Sequence, residues 1–167
     1  MNEDAKKRFS INDDIPGRHN TRANQGHSIK TIQLDKLCGV KIMRVDDRFS
    51  VVHGSFKHCS QSIYKNGLMV GGLKGQSSRQ AIHCVERDVQ TQDNPKDAKM
   101  TVLRLGRQAV SGIRTNSETL VFLDINQAIK DGIPFYRSLN NVIVSQGIDE
   151  LLMPSIFKEF MTLKMAS

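Results

Sequence analysis

The densest cluster of potential chemistry is RANQGHS, residues 22–28, where Arg22, Asn24, Gln25, His27 and Ser28 stand around Gly26. Arginine offers a planar fork of donors matched to phosphate oxygens, glycine lets backbone approach a ligand closely, and histidine and serine add further hydrogen bonds. The stretch therefore reads as an anion site. Asn, Gly and Ser are also ordinary turn residues, so a polar turn stays open beside that reading. A second candidate is His53-Gly54-Ser55, which closes the run FSVVHGS. A β-branched run ending in glycine reads as a buried strand whose polar tip sets a histidine and a hydroxyl at a ligand edge. A buried histidine satisfied by backbone is the competing reading. Further on, Arg79 precedes a short strand carrying His83, and Arg104, Arg107 and Arg114 add basic character where most arginines lie on solvated faces. Gly71, Gly72 and Gly75 have neither dinucleotide-fingerprint nor P-loop spacing and read as a loop.

Composition narrows the partners. Lys and Arg number 24 against 17 Asp and Glu, giving a net charge of +7 and a pI near 9.5, which favours RNA or phosphorylated metabolites. A length of 167 residues fits one domain, or one with part of another. Trp is absent, so Ile, Leu, Val and Met must fill the core. Cys38, Cys59 and Cys84 show no CxxC pair, which argues against a disulfide framework and a structural zinc, and for a reduced, intracellular setting, cytoplasmic or nuclear. The first eight residues are charged, and no apolar run is long enough to span a bilayer, so a soluble chain with no membrane partner is expected.

The positioning elements follow from pattern. A strand from Arg8 to Ile11, a turn through Asn12-Asp13-Asp14 and Pro16-Gly17, and a returning strand make a hairpin that needs a partner surface. Residues 29–42 read as linker or strand, 49–55 as a buried strand, and 56–66 as a helix capped by Gly67. Residues 86–100 read as a solvated loop, and the runs VLRLGRQAVSGIR, from Thr101 onward, and TLVFLDI, over 119–125, as strand material with Gly112-Ile113-Arg114 between them. A short helix over 126–130, further strand to Val144, and a last helix over 151–165 with Pro154 near its start complete the pattern. Many short strands with few short helices indicate an α+β fold.

Taken together, RANQGHS, the VHGS tip, the SIYKNGL segment, the Arg79 to His83 strand, SGIR and DGIPFYRSLNNV resemble the RNA 2′-phosphotransferase family that finishes tRNA splicing. The resemblance runs from about Lys6 to Phe157. It implies an ADP-ribosyltransferase-like catalytic lobe over residues 35–167, preceded over 1–34 by the remnant of a winged-helix-like RNA-binding lobe. It also implies an enzyme with NAD as co-substrate, no metal, a spliced RNA carrying an internal 2′-phosphate as partner, and a monomer. In the family reaction the RNA 2′-phosphate attacks the anomeric carbon of the nicotinamide ribose and expels nicotinamide. The ribose 2″-hydroxyl then attacks that phosphate, leaving 2′-hydroxyl RNA and ADP-ribose 1″,2″-cyclic phosphate.

By the same resemblance Arg79 and Arg114 hold the transferred phosphate, and His53, Gly54, Ser55, His83 and Val142 bind NAD. Arg22, Asn24, Gln25, His27, Ser28, Arg137 and Ser138 face RNA or phosphate. The chain departs from the family pattern at Ala81, where a first histidine is usual, and at Asn141, where a glycine is usual. The family's Leu-Arg-His motif belongs upstream of RANQGHS, where this chain has too few residues to hold it. Those departures carry two alternatives: a homologue that binds NAD or RNA phosphate without full turnover, or an ADP-ribosyltransferase that does not complete the second step.

Overall fold

The computed structural model describes residues 9–15, 18–23, 33–37, 40–72, 80–88, 113 and 116–162. Strands β1 (Phe9–Ile15) and β2 (Arg18–Ala23) form an antiparallel hairpin in which Ser10 lies opposite Arg22. The expected hairpin is present, with its first strand extended through the Asn12-Asp13-Asp14 turn to Ile15. The strand material expected over 101–112 and the segment Asn24 to Ser28 lie outside the described residues.

The rest is built on one seven-stranded antiparallel sheet of order β11-β7-β4-β6-β9-β8-β3. Its members are β3 (Val40–Lys41), β4 (Phe49–Ser55), β6 (Ile82–Asp88), β7 (Thr119–Leu123), β8 (Tyr136–Arg137), β9 (Val142–Ser145) and β11 (Phe157–Thr162). A two-stranded sheet pairs β5 (Leu68–Met69) with β10 (Leu151–Leu152). Helices α1 (Leu34–Leu37), α2 (Ser60–Asn66) and α3 (Ile125–Lys130) are short. This sheet-dominated chain with few helices is compatible with the α+β class.

Alternation on β4 explains why it is central. Val51 faces the main core with Val121, Leu123, Cys84 and Ile143, while Val52 faces a second cluster with Val85, Leu120 and Ile113. A strand buried on both faces needs consecutive apolar residues, and FSVV supplies them. A third cluster joins Leu34 of α1 to Ala81, Val142 and Val144. Two caps fix the helices. Asp124 accepts from the Gln127 N–H at 3.0 Å at the start of α3, and Gly67, at φ 94°, ends α2 against β10, where an added Cβ would overlap the Leu152 carbonyl.

Three expectations are corrected. Residues 151–162 form β10, a 3-10 turn (Pro154–Ile156) and β11, not a helix. A bulge between Phe157 and Glu159 brings Phe157 opposite Leu123 and Phe160 opposite Val121, so a helix-like spacing of three puts both rings on one face of a strand. Glu86, Arg87 and Asp88 belong to β6, not to a loop: Arg87 is buried opposite Ser50, and Glu86 is neutralised by Arg137. Finally, the linker or strand expected over 29–42 holds a helix as well as a strand: α1, whose Leu34 is 4% exposed, precedes β3 at Val40–Lys41.

Candidate active site

The central strands part at one place. The ladder between β4 and β6 runs from Phe49↔Asp88 to Val52↔Val85 and ends there, while the ladder between β4 and β7 continues to Ser55↔Thr119. Beyond Val52, the His53 ring takes over the crossing: its Nδ1 lies 2.8 Å from the His83 carbonyl oxygen. A carbonyl only accepts, so Nδ1 carries the proton, and in the neutral ring Nε2 presents a lone pair. His53 is thereby held by backbone.

Gly54 and Ser55 continue the same edge. A Cβ at Gly54 would overlap Ser117 Oγ and stand 3.0 Å from Ile113 Cγ2, so only glycine lets β4 pass this point. The Ser55 carbonyl accepts from the Glu118 N–H at 2.8 Å, and the Glu118 carboxylate accepts from the Lys57 N–H at 2.9 Å. Glu118 thus clamps the chain on both sides of Phe56. Nearby, the Ser60 and Thr119 hydroxyls are hydrogen-bonded at 2.8 Å.

His83 is buried opposite Val144, and Val142, fully buried, lies opposite Val85 on the same face of the sheet. The five residues His53, Gly54, Ser55, His83 and Val142 therefore lie on three adjoining strands but divide between the two faces of the sheet: His53 and Ser55 alternate with Val51 on the face of the main core, whereas Gly54, His83 and Val142 lie on the face of Val52 and Val85. Arg137 pairs with Ile143, which pairs with Cys84, so it lies on the face opposite His83, the face that carries Glu86, Val51 and His53. Its Nη2 donates to Glu86 Oε1 at 2.8 Å. Ser138 is 3% exposed and holds the β8–β9 turn, its hydroxyl accepting from the Val142 N–H at 3.0 Å and reaching Asn140 Oδ1 at 2.7 Å. Asn141, at φ 59°, adopts the left-handed conformation in which a glycine is more usual. Arg79, Arg114, Asn24, Gln25, His27 and Ser28 lie outside the described residues, and of Arg22 only its place in β2 is described.

Glu86 and Glu118 escaped sequence reasoning, because a carboxylate that neutralises a cross-strand arginine or clamps a turn leaves no local pattern. Arg87 was hidden in the supposed loop; burial pulls its guanidinium below the ordinary value, yet an arginine stays cationic. Burial likewise pushes the Cys84 thiol far up, so it supplies no thiolate nucleophile. No group of three or more metal-ligating side chains occurs among the described residues. Among them, too, no helix is long and apolar enough to cross a membrane.

Comparison with known proteins decides the family. The model of the RNA 2′-phosphotransferase, Tpt1 / KptA family matches residues 1–147. The chain belongs to this family. A tRNA 2′-phosphotransferase 1 of Mus musculus is 34% identical over 169 residues, covering 98% of this chain and 57% of that protein. The Bos taurus protein of the same name is 32% identical over 171 residues, covering 98% and 56%. A Schizosaccharomyces pombe protein carrying the tRNA 2′-phosphotransferase name is 34% identical over 160 residues, covering 94% and 36%. The chain thus spans roughly a third to just over half the length of these relatives. Within it, the family match includes β1 to β9 and every candidate site residue, and ends before β10 and β11.

Proposed function

We propose that this RNA 2′-phosphotransferase family member removes the internal splice-junction 2′-phosphate of tRNA by transferring it to NAD, within an ADP-ribosyltransferase-like lobe. The observation that carries the reading is the parting of β4 and β6 at His53 and His83. There a central sheet gives up its ladder, and β4 runs on with an imidazole, a glycine and a hydroxyl in succession. This donor and acceptor set fits a ribose and a carboxamide. His53 Nε2 would accept from a ribose hydroxyl, Ser55 would meet the carboxamide, and His83 with the apolar shelf of Val142 would flank the nicotinamide. Bound NAD supplies an anomeric carbon from which nicotinamide can leave.

The chain's own task is to concentrate positive charge where two phosphate-bearing ligands meet. We assign that task to Arg79, three residues ahead of β6, and to Arg114, next to Ile113 of the second core cluster. Arg22, Asn24, Gln25, His27 and Ser28 face the RNA from the hairpin side, in the N-terminal part over 1–34. Arg137 offers RNA the guanidinium N–H groups beyond those on Glu86, and Ser138 holds the turn that presents it.

Incubating the chain with NAD and an RNA carrying one internal 2′-phosphate tests the reading by its products. Nicotinamide, 2′-hydroxyl RNA and ADP-ribose 1″,2″-cyclic phosphate in equal amounts are expected. RNA that accumulates with ADP-ribose attached would replace this reading with a transferase that stops after one step. Unchanged RNA and NAD would leave no phosphotransfer to explain.

A further inference from the structure

The run from Arg48 through Val85 contains no Asp or Glu, although 17 occur in the chain. The same run holds Arg48, Lys57, Lys65, Lys74 and Arg79, and three of the five histidines. Its described residues fold as β4, a 3-10 turn (Lys57–Cys59), α2, β5 and the start of β6, so a segment without carboxylates of its own leads away from the His53 to Ser55 edge, with Arg48 at its start paired to Asp46 at 3.4 Å.

The outer surface of that segment has the composition of a nucleic-acid surface. Lys57, His58, Gln61, Tyr64 and Lys65 are exposed, and Ile63 is the buried residue of α2. Neither lysine ammonium enters an ion pair among the described residues. The Glu118 carboxylate accepts from the Lys57 backbone N–H and so fixes the main chain there. Flat faces alternate with these cations. His58 stacks on Phe56 with ring centres 5.6 Å apart and planes 12° from parallel. Tyr64 is 72% exposed, yet its ring is braced edge-on against Phe160 at 6.2 Å. Beside Tyr64 a cleft of about 520 Å³, lined also by Phe157, Phe160, Glu159 and Lys158, the last paired with Asp124 at 3.6 Å, has room for a base. Cations interleaved with aromatic faces bind single strands through phosphates and base stacking.

We infer that the exposed face of residues 57–65 docks the single-stranded RNA flanking the 2′-phosphate, with Lys57 and Lys65 on backbone phosphates and Tyr64 under a base. The inference rests on the proposed function for the RNA's entry at the neighbouring edge. It adds a docking surface on the catalytic side of the chain, apart from the N-terminal hairpin.

The test measures binding of a fluorescently labelled single-stranded RNA with one internal 2′-phosphate across a salt series. It uses the full chain, Lys57→Glu with Lys65→Glu, and Tyr64→Ala, with NAD binding measured on each. The charge reversals should weaken RNA binding at least about tenfold and flatten the log-log salt slope by roughly 1.4, two phosphates at about 0.7 each. Tyr64→Ala should weaken it about fivefold or more with the slope unchanged. NAD affinity and circular dichroism should be unaltered throughout. RNA affinity and slope equal to the unmodified chain's in the charge-reversed variant would overturn the inference, as would an equal loss of NAD binding or no RNA binding by the unmodified chain. If RNA binding responds as expected and no phosphotransfer product forms, the docking face stands and the proposed reaction falls. If product forms and the variants keep the unmodified KM for RNA, the docking face alone falls.

Discussion

The His53 imidazole reaches across the gap between two strands to the His83 carbonyl at 2.8 Å, at the point where their backbone ladder ends. One side chain therefore replaces the next rung of a central sheet. The two ring nitrogens can be separated by substitution. Asn places an amide N–H close to the position of Nδ1, whereas Gln imitates Nε2. His53→Asn should keep the thermal stability and lose NAD affinity at least about tenfold, the equivalent of one hydrogen bond of about 1.4 kcal/mol. His53→Ala should lose both, with stability falling by roughly 1–2 kcal/mol in a denaturant titration.

Gly54 presents a steric requirement rather than a chemical one. Alanine there drives a methyl into Ser117 Oγ. Overpacking of this kind costs about 1–3 kcal/mol, or roughly 2–10 °C of melting temperature at this chain length. Calorimetry should show that loss in Gly54→Ala, with partial recovery when Ser117→Gly is added. An unchanged melting temperature would mean that β4 and residue 117 are not in contact.

The Ile148 to Leu151 turn stores strain that can be released. Ile148 and Leu151 exchange backbone hydrogen bonds at 3.0 and 2.9 Å, and the two residues between them, Asp149 and Glu150, have φ of 50° and 64°. This mirror-image turn favours Asn-Gly. Replacing Asp149 by Asn and Glu150 by Gly should stabilise the chain by roughly 1 kcal/mol, read as a rise of about 2–4 °C. The Val70 N–H to Glu150 carbonyl bond, 2.8 Å, uses only backbone and survives the change.

Cys84 gives a pH dependence with a definite sign. Its thiol is pushed up by burial, so above the unfolded pKa of about 8.5 the unfolded chain releases a proton that the folded chain keeps. Stability contributed by the neutral buried thiol is fully present below that pH and is lost as pH rises beyond it. Peptide mapping after alkylation at pH 8 should find Cys59 labelled ahead of Cys84, with Cys84 labelled only after denaturant is added. Substitution by Val should remove the part of the alkaline decline that Cys84 supplies.

Much of the site was legible because it lies where local and global signals agree. FSVVHGS reads as a buried strand with a polar tip and is one; Gly67 reads as a cap and sits at φ 94°. The terminal segment misled because a bulge mimics helical spacing, and β6 was cut short because charged residues can be buried when a partner strand neutralises or covers them. Likewise, nothing in the sequence around Glu118 announces that its carboxylate returns to Lys57, since that contact is made across a separation of 61 residues. Arg137 illustrates the remaining gap. Its motif places it beside phosphate, but strand alternation and the Glu86 bond set it on the face opposite His83, a relation that only register determines.

The most direct measurement is NAD titration of the chain labelled with 15N in its five histidines, read by the imidazole resonances. Saturable shifts of His53 and His83, with His58 unmoved and the Nδ1–H tautomer of His53 retained, are expected if the parting of β4 and β6 holds the dinucleotide. Saturable NAD binding that leaves both His53 and His83 unchanged, or no binding at all, would contradict it.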